Sequence, residues 1–460
     1  MKSVKRITVL LLILTMLVSF CGCGNSAALP ETTQAPTAPK PTAYRPPPLP
    51  PKTEPTEHPL KQEYKKDPTA FVSFSLGGTS YEYVPIEEMM EYESIYPDCH
   101  GTWFRDQLSE EDLCIYNALL YAMEHHRTWF EMYVEDNDKD FYYIRQSLSL
   151  DSPFLEQNKN DYGENISSQA TNYRGERISF HVSQFIEKRL DMKLEALEKC
   201  RQIVRDMPAE CKTQMEKAEY LYRYVCDNME YVAYENMADN DYLYDAVIKG
   251  QSVCDGYSNM LNLLFNLAGI ESYEAMGYNV KDFSTATEDE LENAGGHTWV
   301  VAEIDGAYYN FDPTWEDTKQ DQWPTDLVFF GFSDQLAPVK YIELDEQRPK
   351  CTDTSRDFAY ADLVVDDVTS YSDVKKIAAL VEERAAQSQY VTLIGVRNGV
   401  TDGSYSTFMR IFGNYNDQVI GLSATGRDFG TSSLLWLTAI TEDQEATQPQ
   451  ETTQSQETAG

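Results

Sequence analysis

One cysteine of this sequence lies where a thiol could act as a nucleophile. Cys254 falls within residues 252–270 (SVCDGYSNMLNLLFNLAGI), where apolar residues recur at helical spacing and Gly269 is expected to end the helix. With Ser252 as the predicted N-cap, the thiol lies at the second helical position, beside unpaired backbone N–H groups and the positive end of the helix dipole. Both favour the thiolate, the form that attacks a carbonyl carbon. Taken alone, the same pattern is also typical of a buried cysteine that happens to begin a helix.

A histidine and an aspartate with complementary chemistry follow downstream. Residues 297–315 (HTWVVAEIDGAYYNFDPTW) predict a β-hairpin, in which a two-residue Asp-Gly turn joins two alternating strands. Counting outward from the turn places Trp299 opposite Asp312, so His297, Trp299 and Asp312 share one face while mostly apolar residues fill the other. His297 and Asp312 are then diagonal neighbours, ~7–8 Å apart at the backbone and within side-chain reach of each other.

Together these three side chains predict a catalytic site. An aspartate so placed can accept a hydrogen bond from one imidazole nitrogen and hold the other toward a thiolate. Each residue also has an ordinary interpretation: Cys254 as a buried thiol, His297 as a strand-end histidine, and Asp312 as the start of an Asp-Pro turn. The joint arrangement is much harder to obtain by chance, so we predict a Cys-His-Asp site.

Five segments resemble the bacterial transglutaminase-like superfamily, within the papain-like cysteine enzymes. Three of them resemble the blocks that hold the nucleophile, the histidine and the aspartate, one resembles the helix that usually precedes the core, and one resembles its closing strand. In that order, they are GQSVCDGYS (250–258), GGHTWV (295–300), YNFDPTW (309–315), EKAEYLYRYVCDNMEY (216–231) and VFFGFSD (328–334).

The resemblance implies roles and a fold. Cys254 would be the nucleophile, His297 the general base and acid, and Asp312 the residue that orients the histidine. The implied fold is α+β, a papain-like or transglutaminase-like core in which the cysteine-bearing helix packs on an antiparallel sheet. Besides the Cys254 backbone N–H, the sequence shows one candidate oxyanion donor, Gln251.

The predicted chemistry is acyl transfer through a thioester. With water as the acceptor the protein would be a protease or amidase acting on protein or peptide amides, cell-wall peptide included, and this is the interpretation we favour. With a lysine amine as the acceptor it would be a cross-linking transglutaminase. The alternative from another class is a non-catalytic cell-wall or adhesion module that keeps the fold.

Composition and motifs limit the partners. A net charge of −37 argues against nucleic acid, because phosphate binding needs a basic surface. No cofactor or metal is predicted, because the adjacent pair His125 and His126 lacks ligand spacing and is better interpreted as a surface pair at a helix end. Six cysteines outside the leader and Cys254 permit disulfides without requiring them.

The first residues predict export and a lipid anchor. Lys2 and Lys5 precede an apolar run at 7–18, which is too short to span a bilayer, and Gly22-Cys23 has the order of a bacterial lipoprotein cleavage site. We favour lipidation of Cys23, and hence a lipoprotein at the cell membrane facing the extracellular side, over a freely secreted form.

The rest of the chain divides into predicted segments by composition and helix signals. Ser109, with Asp112, is predicted to cap a helix in the first globular part, and Ser372 one in the last. The segments are a signal peptide (1–23), a Pro/Thr-rich disordered stalk (24–70), a mixed, α-rich N-terminal domain (71–205), the transglutaminase-like domain (206–350), a small C-terminal α/β domain (352–441) and a disordered acidic tail (442–460).

Overall fold

The computed structural model describes most of residues 60–440. Within that range it leaves out 77–78, 126, 128, 136–140, 153–166, 171–175, 182–185, 234–235, 238–240, 279–286, 288–295, 318–326, 337–339, 342–348, 416–420 and 429–431. The predicted signal peptide with Cys23, most of the stalk and the tail therefore lie outside the described residues. Across the ranges that are described, no helix is both long and apolar enough to cross a membrane.

The first sheet is antiparallel, with strand order β2-β1-β3-β5-β4. Alternation along FVSFS directs Val72 and Phe74 into the core, while Phe71 and Ser73, on the other face, are also buried. Its strands are β1 (Phe71–Ser75), β2 (Tyr81–Pro85), β3 (Trp129–Val134), β4 (Ser167–Ala170) and β5 (Glu176–His181).

Two helices pack on this sheet, α2 on β1 and β2 and α3 on β3, within the described residues. Its helix α3 begins as predicted, with the Ser109 hydroxyl accepting a 3.2 Å hydrogen bond from the Asp112 backbone N–H. The C-terminal end of the predicted stalk is folded, because the Tyr64 ring packs 4.4 Å from Tyr83 and Pro68 is buried. The helices are α1 (Lys61–Tyr64), α2 (Ile86–Met90), α3 (Glu110–Glu124), α4 (Phe141–Asp151) and α5 (Ile186–Arg205).

The second sheet is also antiparallel and has the strand order β11-β10-β9-β8-β12. A separate parallel pair, β6 with β7, lies just before the cysteine-bearing helix. The strands are β6 (Glu230–Tyr231), β7 (Gln251–Ser252), β8 (Ser272–Tyr278), β9 (Gly296–Ile304), β10 (Ala307–Phe311), β11 (Phe330–Phe332) and β12 (Lys340–Tyr341).

Among the described residues, α-helices accompany the second sheet, and α8 packs across β9 with its apolar side in the shared core. α6 opens with a capping box in which Thr213 and Glu216 satisfy each other's backbone N–H groups. Their bounds are α6 (Gln214–Asn228), α7 (Tyr242–Tyr244), α8 (Cys254–Leu267) and α9 (Pro313–Asp317).

The C-terminal end of α8 is as predicted from the sequence, and its N-terminal end is not. Gly269 has a φ of 76° and ends the helix as expected, because a left-handed residue costs glycine no Cβ clash. The prediction of Ser252 as N-cap is wrong: the N-cap is Val253, without a side-chain cap, and Cys254 is the first helical residue. Ser252 instead belongs to β7, whose pairing with β6 holds it in an extended conformation.

The C-terminal part is a mixed sheet with two helices. Strand order is β13-β14-β16-β15, with β13 parallel to β14 and the other pairs antiparallel. The predicted Ser372 cap is wrong by two residues, because the helix already begins at Tyr371 with Ser370 as its N-cap. The elements are β13 (Leu363–Val365), α10 (Tyr371–Ala386), β14 (Val391–Val396), α11 (Asp402–Phe412), β15 (Gly421–Asp428) and β16 (Ser433–Ile440).

The hydrophobic cores cut across the predicted segments. One core runs from Val72 in the first sheet to Phe330 in the second, so residues 71–205 and 206–350 share it. A separate core, from Val365 to Ala439, belongs to the C-terminal part. The mixture of helices and antiparallel sheets agrees with the predicted α+β class, while the domain boundaries stay predictions.

The described cysteines are all free thiols. They are Cys99, Cys114, Cys200, Cys211, Cys226, Cys254 and Cys351.

Candidate active site

Cys254 stands at the N-terminal end of a long helix. As the first of the 14 residues of α8, it lies where backbone N–H groups have no partner inside the helix and where the dipole is positive. The residue is half-buried, and its Sγ lies 3.6 Å from Asp255 Oδ2. The helix end therefore places a positive partial charge near the sulfur, and Asp255 places a carboxylate beside it.

The hairpin of β9 and β10 has the predicted register. Ile304 pairs with Ala307 across the turn. Asp305 and Gly306 both have positive φ, 53° and 85°, as a tight turn matched to the twist of the strands requires. Asp312 follows the last residue of β10 directly, so its position depends on this register.

His297 and Asp312 are in direct contact. The His297 Nε2 atom lies 2.7 Å from Asp312 Oδ2, within the range of a charge-assisted hydrogen bond. Their side chains are 10% and 1% exposed, so water hardly competes for the contact. The structure thus brings together the two side chains that the strand count placed on one face.

Asp312 is held by both its side chain and its backbone. Its Oδ1 accepts a 3.0 Å hydrogen bond from the Trp315 backbone N–H, at the start of α9. Its backbone N–H donates to Phe329 O at 2.9 Å, and its carbonyl oxygen accepts from Glu316 N at 3.2 Å. Because these contacts leave Asp312 little freedom, the imidazole it holds has a defined orientation.

The charge of His297 follows from its two neighbours. Burial disfavours the imidazolium, but the Asp312 carboxylate outweighs it, and with the Cys254 thiol it raises the pKa of His297 to about 10. Because Asp312 occupies Nε2, the ring nitrogen left for the hydrogen bond with Cys254 is Nδ1. This arrangement favours the imidazolium form of His297.

Two tryptophans cover the imidazole. The Trp299 ring stacks on His297 with centroids 6.0 Å apart, and the Trp315 ring meets it edge-on at 5.7 Å. Trp299 is itself fixed, because its indole N–H donates a 2.9 Å hydrogen bond to Asn310 Oδ1. These rings limit the access of water to the pair of His297 and Asp312.

Gln251 lies in β7, three residues before the cysteine. Its side-chain N–H₂ donates to Glu230 Oε2 at 3.4 Å, across the pair of short strands. The structure thus places the amide near the start of α8 but engages it with a carboxylate.

A family match covers this site. Residues 201–313 match the family model described as Transglutaminase-like superfamily. The chain carries a transglutaminase-like domain. Cys254, His297 and Asp312 all fall inside the matched stretch.

Relatives of the transglutaminase-like domain are similar over only part of their length. The kyphoscoliosis peptidase of Homo sapiens is 24% identical over 147 residues, which are 31% of this chain and 22% of the human protein. That of Mus musculus is 23% identical over 147 residues. The chain thus spans about a fifth of the length of these curated relatives.

Two solved structures are similar over about a third of the chain. A TGase is 15% identical, with 35% of this chain and 48% of that chain covered and a TM-score of 0.21. The periplasmic domain of TgpA from Pseudomonas aeruginosa is 14% identical, with 32% of this chain and 55% of that chain covered and a TM-score of 0.21.

Several residues that support the site were not singled out from the sequence. The Tyr222 hydroxyl on α6 donates to the carbonyl oxygen of Asp312 and lies near the carboxylate of Glu316 on α9. Tyr222 and Glu316 are 94 positions apart in sequence. Tyr222 belongs to an apolar helical stripe, which signals burial but not the partner of its hydroxyl. A buried carboxylate such as Glu316 has no local signal, because its donors, Leu327 N and Phe329 N, come from another segment.

Within the described ranges, no three His, Cys, Asp or Glu side chains are grouped as metal ligands would be.

Proposed function

We propose that this protein is a cysteine acyl-transfer enzyme of transglutaminase-like type that hydrolyses protein or peptide amides. The observation that carries the proposal is the 2.7 Å contact of His297 with Asp312, combined with the Cys254 thiol as the other hydrogen-bonding neighbour of the same imidazole. The thiol, the imidazole and the carboxylate then form a series in which the carboxylate orients the base and the base faces the nucleophile, as amide cleavage requires.

The first half of the proposed reaction forms a thioester. The Cys254 thiolate attacks the amide carbonyl carbon, and the backbone N–H of Cys254 donates to the developing oxyanion. The C–N bond then breaks as the His297 imidazolium gives its Nδ1 proton to the leaving amine. The acyl group is left on sulfur, and the imidazole is neutral.

The second half restores the site. Neutral His297 takes a proton from a water molecule as the water oxygen attacks the thioester carbonyl carbon. The C–S bond breaks, the carboxylic acid leaves, and the thiolate and imidazolium are regenerated. Asp312 keeps the Nε2–H bonded throughout, so Nδ1 faces the reaction in both halves.

Water is the acceptor we favour over an amine. An amine must compete with water unless the site excludes it, which makes hydrolysis the default outcome of a thioester. The word peptidase in the name of the human relative agrees with this choice. Cross-linking to a lysine amine and a non-catalytic binding module are the alternatives.

One experiment separates these alternatives. Wild type, Cys254→Ala and the matched control Cys211→Ala, which replaces a half-buried thiol outside the site, are incubated with a library of peptides and cell-wall fragments plus a labelled primary amine. Mass spectrometry that finds cleavage in wild type and Cys211→Ala, and none in Cys254→Ala, supports the hydrolase. Amine incorporation supports the transglutaminase instead. The absence of any product that depends on Cys254 would leave the binding module.

Gln251 is proposed as a second oxyanion donor. For this role its amide would have to exchange its contact with Glu230 for the substrate oxygen. Loss of such a donor lowers turnover by about 10²–10³-fold. The turnover of Gln251→Ala should therefore fall by that much, while Glu230→Gln keeps the turnover of wild type. Equal turnover in wild type and Gln251→Ala would remove Gln251 from the mechanism.

Anchoring at the outer face of a cell membrane is proposed through Cys23. This residue lies outside the described part of the chain, and the proposal is supported by the basic start, the apolar run at 7–18 and Gly22 before the cysteine. Cys23→Ser should lose incorporation of a labelled fatty acid and leave the membrane fraction. The control Cys21→Ser should keep both; the reverse result would move the anchor to Cys21.

A further inference from the structure

A hydroxyl pair joins the cysteine-bearing helix to the histidine-bearing strand. Ser258 Oγ on α8 lies 3.0 Å from Thr298 Oγ1 on β9, and both side chains are buried. Ser258 is one helical turn after Cys254, and Thr298 directly follows His297. The contact therefore ties together the two elements that carry the proposed nucleophile and base, close to both.

Ser258 also connects the pair to the backbone of its own helix. Its Oγ lies 3.0 Å from the carbonyl oxygen of Cys254 and 3.1 Å from that of Asp255. Carbonyl oxygens only accept, so Ser258 is the donor in both contacts, as is common for serine four residues along a helix. Ser258 is also the donor toward Thr298 Oγ1, so its one hydroxyl hydrogen faces three acceptors. The Ser258 hydroxyl thereby links the strand to the carbonyl oxygen of Cys254.

The surroundings of the pair are apolar. Thr298 points to the same side of β9 as Val300 and Ala302, which lie in one core with Leu261 of α8. Apolar contacts of this kind have no preferred direction and resist sliding of the helix poorly. A hydrogen bond does have direction and a narrow distance range, so it can define where the helix end stands relative to the strand.

We propose that Ser258 and Thr298 are positioning residues that set the separation between the Cys254 sulfur and the His297 imidazole. The inference rests on the proposed function, because it concerns the same thiolate and imidazolium. A buried hydroxyl pair replaced by apolar groups of similar shape is nearly neutral for stability. Loss of the pair is therefore expected to change the reactivity of the Cys254 thiol rather than the free energy of unfolding.

The test measures alkylation of Cys254 by iodoacetamide from pH 5 to pH 9 in the full chain, with the modified peptide identified by mass spectrometry. The variants are Ser258→Ala/Thr298→Val, Thr298→Val and the conservative Thr298→Ser. The control Ser252→Ala removes another buried hydroxyl near the helix start, one with no hydrogen-bond partner among the described residues. Urea unfolding of each variant is measured in parallel.

The double variant should alkylate about 3- to 10-fold more slowly than wild type near pH 6, the loss expected when one ordinary hydrogen bond no longer holds the charged pair together. Its half-maximal rate should move to higher pH, because a thiolate farther from its imidazolium is easier to protonate. Thr298→Ser and Ser252→Ala should stay within about twofold of wild type. The unfolding midpoint of the double variant should match that of wild type.

Two results would overturn the inference while leaving the proposed function intact. One is a double variant that alkylates like wild type at every pH. The other is a loss of rate that follows a loss of unfolding midpoint, which is what a purely structural role predicts. If wild type itself labels only above about pH 8.5, as an ordinary thiol does, the proposed function fails and the inference fails with it.

Discussion

The hydroxyl of Tyr222 donates to the carbonyl oxygen of Asp312 across 2.9 Å, joining residues 90 positions apart in sequence. The Tyr222 hydroxyl oxygen also lies 3.0 Å from Phe329 O and 3.4 Å from Glu316 Oε2. Burial raises the pKa of Tyr222 well above its usual value, so the hydroxyl keeps its proton. Helix α6 thereby supports the segment that presents Asp312 to His297.

Replacing Tyr222 by phenylalanine removes this donor without changing the ring. The carbonyl oxygens of Asp312 and Phe329 each keep a backbone donor, so the expected loss is that of one hydrogen bond, about 0.5–1.5 kcal/mol in the free energy of unfolding. Urea unfolding measures it. Tyr224→Phe, a half-buried tyrosine on the same helix, is the control and should change by less than about 0.5 kcal/mol. Equal effects of the two changes would mean that the contact with Asp312 contributes nothing.

Asp312→Asn tests the electrostatics of the site. Without the carboxylate the pKa of His297 should fall toward its ordinary value, since Asp312 is the main cause of the increase. His297 would then lose its proton at a pH nearer neutrality. Turnover of a peptide found in the library experiment should fall by about 10²–10⁴-fold, the range of general acid–base catalysis. Retained turnover would contradict the orienting role of Asp312.

The same variant makes a prediction about stability. Because the folded pKa of His297 is raised, its contact with Asp312 stabilises the fold fully below the unfolded pKa of about 6.5, and the contribution is lost as pH rises through about 10. The difference in unfolding free energy between wild type and Asp312→Asn should therefore be larger at about pH 6 than at about pH 10.5. A difference that grows with pH would contradict the assigned direction of the shift.

The hairpin was predictable because its information is local. Asp305 and Gly306 suit a tight turn, and the alternation on either side leaves one register that buries the apolar residues. Once that register holds, His297 and Asp312 must share a face. The start of α8 was missed by one residue, because Ser252 is a good capping residue by type but is drawn into β7 by pairing with β6, a contact made by residues far away in sequence.

What surrounds the candidate site depends on packing between distant segments. Leu327 N donates to Glu316 from 11 positions away, and Ser258 contacts Thr298 from 40 positions away. The sequence does not show which distant group a buried carboxylate or hydroxyl will contact. The shared core of the first two predicted segments is a similar case. Apolar stripes predict that α6 and α8 are buried, but not that part of what covers them comes from residues before 205.

Asp151 provides a second test of pH dependence. This fully buried carboxylate accepts hydrogen bonds from the backbone N–H groups of Phe104, at 3.1 Å, and Arg105, at 2.8 Å. It thereby holds Phe104, whose ring packs edge-on against Tyr273 of the second sheet. Burial raises the pKa of Asp151 to about 7 despite these donors.

A raised carboxyl pKa means that the folded protein binds the proton more tightly than the unfolded chain. Stability from Asp151 should therefore fall as pH rises from about 4 to about 7 and level off above that. Asp151→Asn, which cannot ionise, should show a shallower dependence over this range in urea unfolding at successive pH values. The control Asp206→Asn, at an exposed carboxylate, should run parallel to wild type. A slope in Asp151→Asn equal to that of wild type would assign the dependence to other groups.

Gly256 tests how tightly the helix start is enclosed. A Cβ added there would overlap the Ser252 side chain and lie 2.8 Å from the carbonyl oxygen of Tyr242, closer than carbon and oxygen pack without movement. Gly256→Ala should therefore destabilise the protein by about 1–3 kcal/mol and slow the alkylation of Cys254, because relief of the overlap shifts the first turn of α8. Gly403→Ala is the matched change in α11, where the nearest atom is 3.9 Å from the added Cβ, and it should stabilise by up to about 1 kcal/mol. If both changes had the same effect on unfolding, the close approach at Gly256 would not be what requires glycine two residues after Cys254.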